Sequence, residues 1–147
     1  MLSKKSKYAI KALFCLAQNY SENSILRISE ISEKENIPRK FLETILLELR
    51  NKKLVNSKKG STGGYYLARE PKDIYLSEVI RVSGGPIALI PCVSLNFYEA
   101  CVECEDERIC ALHEVMEEVR HATLEVLAKT SILDLIEKEE HLKKILK

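Results

Sequence analysis

The stretch from Asn36 to Glu70, "NIPRKFLETILLELRNKKLVNSKKGSTGGYYLARE", passes from helical to strand patterning within a few residues, and few small folds accept that order. Leu42, Ile45, Leu46 and Leu49 recur at the spacing of one buried helix face, and Pro38 suits the first turn, where its missing N–H has no partner to lose. Leu54 and Val55, then Tyr65, Tyr66 and Leu67, are short strand-forming runs. Gly60, Gly63, Gly64 and the pair Lys58 and Lys59 separate them, which predicts a β-hairpin with a positively charged tip. Just upstream, "ISEISEKEN" predicts a short helix with Ile28 and Ile31 inward, ended by Asn36 in the left-handed turn. Two short helices joined tightly and followed at once by a basic hairpin predict a winged helix-turn-helix.

The flanks extend this unit. From Ser6 to Tyr20 the apolar residues Ile10, Leu13, Phe14 and Ala17 predict one more helix, with Cys15 inside it as a core residue. After Pro71, "IYL" is a candidate short strand, and Ser77 is placed to cap a helix that ends at Gly84 and Gly85. Residues 86–110 show no sustained period. Beyond them "ALHEVMEEVRHATLEVLAKTS" predicts a long amphipathic helix with Leu112, Val115, Met116, Val119, Ala122 and Val126 along one side, widened by Leu124 and Leu127. Ser131 and Asp134 are spaced as a capping pair for a last short helix before a charged tail. The expected fold class is mainly α with a small β-hairpin wing (α+β), divided into a DNA-binding domain over 1–83, a cysteine-containing sensor loop over 84–111, and a long helix with its tail over 112–147.

Charge sharpens the functional reading. The formal net charge of +1 over 147 residues conceals two unlike halves. Residues 1–72 carry 15 Lys and Arg against 7 Asp and Glu, whereas residues 73–147 carry 8 against 15. A basic N-terminal half is the electrostatic footprint of a chain that meets phosphates. No Ser/His/Asp arrangement stands out, and "GSTGG" lies in a hairpin tip rather than between a strand and a helix, so a regulator is expected and not an enzyme. No run approaches the length of a membrane span, and a cytoplasmic location without membrane contact is expected. In a reducing compartment, five cysteines argue for metal or redox chemistry over a disulfide framework.

On the third helix Arg39, Lys40, Glu43 and Leu47 share an outward face, with Thr44 beside them. Arg39 and Lys40 suit phosphates or guanine, and Glu43 can accept from cytosine N4 or simply pair with Arg39 or Lys40. At the wing tip Lys58, Lys59 and Ser61 suit phosphate or minor-groove contact, with a solvated charge pair as the alternative. In "CVECEDERIC", Cys101, Cys104 and Cys110 can converge only if the backbone turns around a centre, the way loops hold iron–sulfur clusters or zinc. His113 follows Cys110 by one helical turn, and Cys92 lies in the same aperiodic segment. The five-residue spacer is short for a zinc finger, which makes zinc the less favoured metal.

The motifs "SKYAIKAL", "IPRKFLETILLELRNKKLV" and "GGYYLAREPKDIYLSEVI", with the cysteine loop and the helix after it, resemble the Rrf-two family of bacterial winged-helix regulators across about residues 1–137. The resemblance implies a homodimer formed through the long C-terminal helix, with each basic domain reading half of a palindromic operator in double-stranded DNA. It also implies that Cys101, Cys104 and Cys110 ligate an iron–sulfur cluster, [2Fe–2S] or [4Fe–4S], that senses iron, redox state or nitric oxide. His113 would complete the set, and Glu43 would match a recognition-helix glutamate. Two departures stand out. The first two loop cysteines are closer together than is usual for the family, which makes Cys92 a rival ligand, and Lys59 stands where an arginine is common. Cluster-free members controlled by thiol chemistry or by a metabolic-enzyme partner, and a zinc-binding regulator, are the alternatives that family membership leaves open.

Overall fold

The computed structural model describes residues 2–20 and 25–147. Six helices and one antiparallel hairpin follow in the order α1 (Lys4–Gln18), α2 (Ile28–Glu35), α3 (Arg39–Asn51), β1 (Val55–Lys58), β2 (Gly64–Leu67), α4 (Leu76–Val82), α5 (Ala111–Lys129) and α6 (Ile132–Ile145). Helix α1 is the central post, packed against α2, α3, α4, α6 and β2. It starts where the Ser3 hydroxyl accepts from the Ser6 N–H at 3.0 Å. Its buried face is Ala9, Ala12, Leu13 and Leu16, joined by Cys15 and Ala17, while Ile10 and Phe14 are only half-buried. The apolar stripe therefore sits turned from the sequence expectation, because small residues let neighbouring helices approach α1 closely.

The turn between α2 and α3 forms as the sequence predicts. Asn36 takes φ 51° and ψ 52°, and Ile37 N–H reaches the Ser32 carbonyl at 3.0 Å. Pro38 sits one residue before α3, and Leu42, Ile45, Leu46 and Leu49 are all buried. At the far end of α3 the Leu54 N–H bonds the Leu49 carbonyl at 2.9 Å and the Lys53 N–H bonds the Arg50 carbonyl at 2.9 Å, a Schellman closure. Lys53 holds the left-handed position at φ 59°, where glycine is usual, so the sequence carried no sign of this stop. The closure points β1 back along α3. Residues Val55 to Lys58 then pair with Leu67 to Gly64 in antiparallel register. Leu26 adds a bridge to Tyr65, and a Cβ at Gly64 would stand 2.4 Å from the Leu26 carbonyl oxygen, so only glycine permits that approach. Helix, tight turn, helix and hairpin form a winged helix-turn-helix.

The remaining segments depart from expectation in instructive ways. "IYL" yields only an isolated bridge between Tyr75 and Ser131, not a strand. Ser77 is buried inside the first turn of α4 and does not cap it; Tyr75 precedes that helix without a side-chain cap. Leu76 N–H instead bonds the Thr130 carbonyl at 2.9 Å, and Ile132 N–H bonds the Ile74 carbonyl at 2.9 Å. These ties bring the chain after α5 back to the first core, where Ile132 is fully buried and Leu135 and Ile136 pack against it. Ser131 and Asp134 form the expected capping box, at 3.2 and 2.7 Å. The helix they open is not short: α6 runs 14 residues, through most of the charged tail.

Candidate DNA-binding face and cysteine site

The winged unit turns one polar face outward. Arg39, Lys40, Glu43, Thr44 and Leu47 are exposed along α3, and Lys58, Lys59 and Ser61 are exposed at the wing. Arg39 Nε lies 3.5 Å from Glu43 Oε1, so Glu43 is paired within its own helix, and Thr44 Oγ1 donates to the Lys40 carbonyl at 3.4 Å. With both partners more than half exposed, that ion pair contributes little and a ligand can break it. Two arginines that the sequence reading missed hold the wing against the helices. Arg27 Nη2, at the start of α2, donates to the Ser61 carbonyl at 2.9 Å. Arg50 Nη1, on α3, donates to Ser57 Oγ at 3.1 Å. Neither sits in a recognisable motif, since each matters for the carbonyl or hydroxyl it reaches across the fold.

The second site is the loop between α4 and α5. Two 3-10 turns, Pro91–Val93 and Glu107–Ile109, bracket it. Glu107 organises the interior: it accepts from the Tyr98 hydroxyl at 3.1 Å and from Cys101 N–H at 3.1 Å. Asp106 holds Arg108 through its backbone N–H and its guanidinium, which keeps the Asp106 carboxyl below the usual range. Four cysteines of the loop, Cys92, Cys101, Cys104 and Cys110, are free and half-buried, and Cys15 is buried in the core as expected.

Cys110 is the cap of α5: its sulfur accepts from the His113 N–H at 3.4 Å. That N–H, the Cys104 thiol and the Leu112 N–H lower the Cys110 thiol below its ordinary value, as helix N-termini do. Cys104 is the middle member. The neighbouring Cys110 and then Cys101 thiols push its thiol up to about 12. Burial, the Glu107 carboxylate and then Cys101 raise Cys92, with Cys110 adding a smaller push. Among the described residues no three His, Cys, Asp or Glu side chains already form a coordination shell. The thiols are gathered but not closed.

His113 shares an open cleft of about 380 Å³ with Cys110, Glu107, Arg108, Glu114 and Glu117, and its Nδ1 is buried without a hydrogen-bond partner. Soft sulfur donors on one loop plus an unpartnered imidazole nitrogen fit an iron–sulfur cluster or zinc. Among the described residues, no helix is long and apolar enough to cross a membrane.

Comparison with known proteins agrees with the fold. Residues 2–138 match the Rrf2 family model, described as an iron-dependent transcriptional regulator. The chain is similar to an rrf2-like HTH-type transcriptional regulator of Rhodobacter capsulatus, at 39% identity over 138 residues covering 92% of each chain. Among solved structures it resembles CymR, the global cysteine regulator of B. subtilis, at TM-score 0.76 and 30% identity, covering 94% of this chain and 97% of that one. It also resembles T. potens IscR, at TM-score 0.75 and 30% identity, covering 97% and 90%. The chain is not an enzyme: it belongs to the Rrf2 family of DNA-binding, dimeric transcriptional regulators.

Proposed function

We propose that this regulator binds a two-fold symmetric DNA operator as a homodimer and that an iron–sulfur cluster on the 92–113 loop sets its DNA affinity. The observation that carries the reading is the gathering of Cys101, Cys104 and Cys110 around the cap of α5, the helix whose outer face is left uncovered. Leu112, Val115 and Val126 on α5 are 59, 51 and 64% exposed, a stripe that a second copy of the helix would cover. In the DNA complex, α3 would present Arg39, Lys40, Glu43 and Thr44 to the major groove. Lys58, Lys59 and Ser61 would reach the flanking backbone or minor groove. Cys101, Cys104 and Cys110 would hold the cluster, with Cys92 or His113 as the fourth ligand.

When bound, the cluster supplies a centre that iron supply, oxidants or nitric oxide can alter. The chain's own part is to convert that alteration into movement. Cys101, Cys104 and Cys110 would hold the cluster as thiolates, so its binding would replace the present thiol contacts of Cys104 and Cys110. Because Cys110 caps α5, changing its bonds changes the start of the dimer helix, and α5 is joined through residues 130–132 to the core beneath the winged unit. Anaerobic purification followed by absorption spectroscopy and iron, sulfide and zinc analysis tests the reading. Visible absorption with matching iron and sulfide is expected; a colourless, iron-free protein that also resists reconstitution sinks it.

A second reading has its own support. The loop exposes Leu95, Phe97, Tyr98 and Val102, the last fully to solvent, a patch suited to a protein partner such as a metabolic enzyme. In that case the thiols serve redox chemistry or nothing, and the Cys110→Ala variant keeps its full regulatory response.

A further inference from the structure

Arg120 stands apart on α5. It is the one buried residue among the described residues of that helix, 7% exposed in the middle of an otherwise open element. Its Nη1 donates to the Val93 carbonyl at 2.6 Å, its Nη2 lies 3.0 Å from Glu117 Oε1 and 2.8 Å from His121 Nε2, and its Nε is buried without a partner. Burying a guanidinium against a loop carbonyl carries a desolvation cost that surface packing does not explain. The carbonyl it holds belongs to the Pro91–Val93 turn, which packs on α5 and contains Cys92. Val93 and Ser94 are buried there, and Ser94 Oγ accepts from the Phe97 N–H at 3.1 Å, so the turn is fixed on both sides of its anchor.

Helix α5 thus grips both ends of the cysteine loop. At its N-terminus Cys110 is the cap itself, and ten residues on, about 15 Å along the axis, Arg120 leans back toward that end and holds the turn that carries Cys92. We propose that Arg120 is a positioning residue that presents Cys92 to Cys101, Cys104 and Cys110 as the fourth ligand of the cluster. An all-thiolate set results, and His113 is left to its carboxylate-lined cleft. The inference rests on the cluster reading. It adds that the first ligand and the last are tied to one helix, so a change in either arm is felt by the helix that a partner copy would cover.

The test uses the full chain in five forms: wild type, Cys92→Ser, His113→Ala, Arg120→Met and Arg120→Lys. Each is reconstituted anaerobically and examined for iron and sulfide content, the electron paramagnetic resonance of the reduced protein, and the rate of iron loss to a chelator. Hydrogen exchange of residues 91–97 is measured in the metal-free proteins. Cys92→Ser and Arg120→Met are expected to alter the resonance in the same way and to speed iron loss about tenfold or more, the range for loss of an outer-shell support. Arg120→Lys, which keeps a donor for the Val93 carbonyl, restores part of the loss, and Arg120→Met alone raises exchange at 91–97 without metal. His113→Ala leaves the resonance unchanged. The inference is overturned if His113→Ala changes the signature while Cys92→Ser does not, or if Arg120→Met loosens the turn yet keeps the wild-type signature. A wild-type protein that takes up no cluster overturns the cluster reading itself, a different result from normal uptake with a silent Cys92→Ser.

Discussion

The winged unit and the segment from the cysteine loop through α5 are built on opposite principles. In the first, fully buried side chains from four helices and two connecting segments interlock: Leu13, Ile31, Leu42, Ile45, Leu46, Leu54, Ile74 and Ile132 are all at or below 1% exposure. In the second, α5 buries one residue, and that residue is an arginine. There the loop is held by Glu107, Asp106, Arg120 and the sulfur of Cys110, a short set of polar ties. A core held by packing gives one answer under most conditions. A loop held by a few charges and thiols answers to whatever changes those charges, which suits a sensor.

The comparison is broken most strongly in the core. Leu46→Ala is expected to cost about 3 kcal/mol in denaturant unfolding, through lost burial and the cavity left behind. Val126→Asp, on the open face of α5, is expected to leave the helical circular dichroism intact. It should weaken dimerisation at least about tenfold, about 1.4 kcal/mol, by sedimentation. If the two substitutions unfold the protein equally, the contrast between the regions fails. Smaller again is Arg27→Met, which frees the wing tip by removing the bond to Ser61. A several-fold loss of DNA affinity, about 1 kcal/mol, is expected with no change in thermal stability beyond the scatter.

The smallest effect is a pH dependence. Hydrogen bonds from Ser131 hold the Asp134 carboxyl below its ordinary 3.8 in the folded chain. A depressed carboxylate contributes stability that is fully present above that ordinary value and is lost as pH falls through the lower folded one. Asp134→Asn should therefore flatten the acid side of the stability profile below about pH 4 and change little at neutrality, as read by thermal unfolding across pH.

How much was legible in sequence follows the same division. The faces of α2 and α3, the left-handed Asn36, the wing glycines and the Ser131 and Asp134 box are local devices, each written within a few residues, and each formed as read. Burial in α1 was read a few residues askew, because periodicity weights Ile10 and Phe14 above the alanines that set close helix contact. Residue type alone suggests Ser77 as a cap, whereas the start of α4 is fixed by a carbonyl 54 residues later. Lys53 hid a helix stop that glycine would have announced. In the loop, residue types single out the cysteines, but the roles of Glu107 and Arg120 depend on contacts across 6 and 27 positions, which no spacing rule encodes.

If the cysteine loop is a sensor, its state is felt by the DNA-binding face. The most direct test is the affinity of one protein preparation for one duplex, selected in vitro from random sequence by the full chain, before and after anaerobic cluster removal, with Cys110→Ala in parallel. Coupling between the two sites predicts affinities that differ by about fivefold or more, with Cys110→Ala fixed at the cluster-free value. Equal affinities for the loaded, stripped and variant proteins would contradict it.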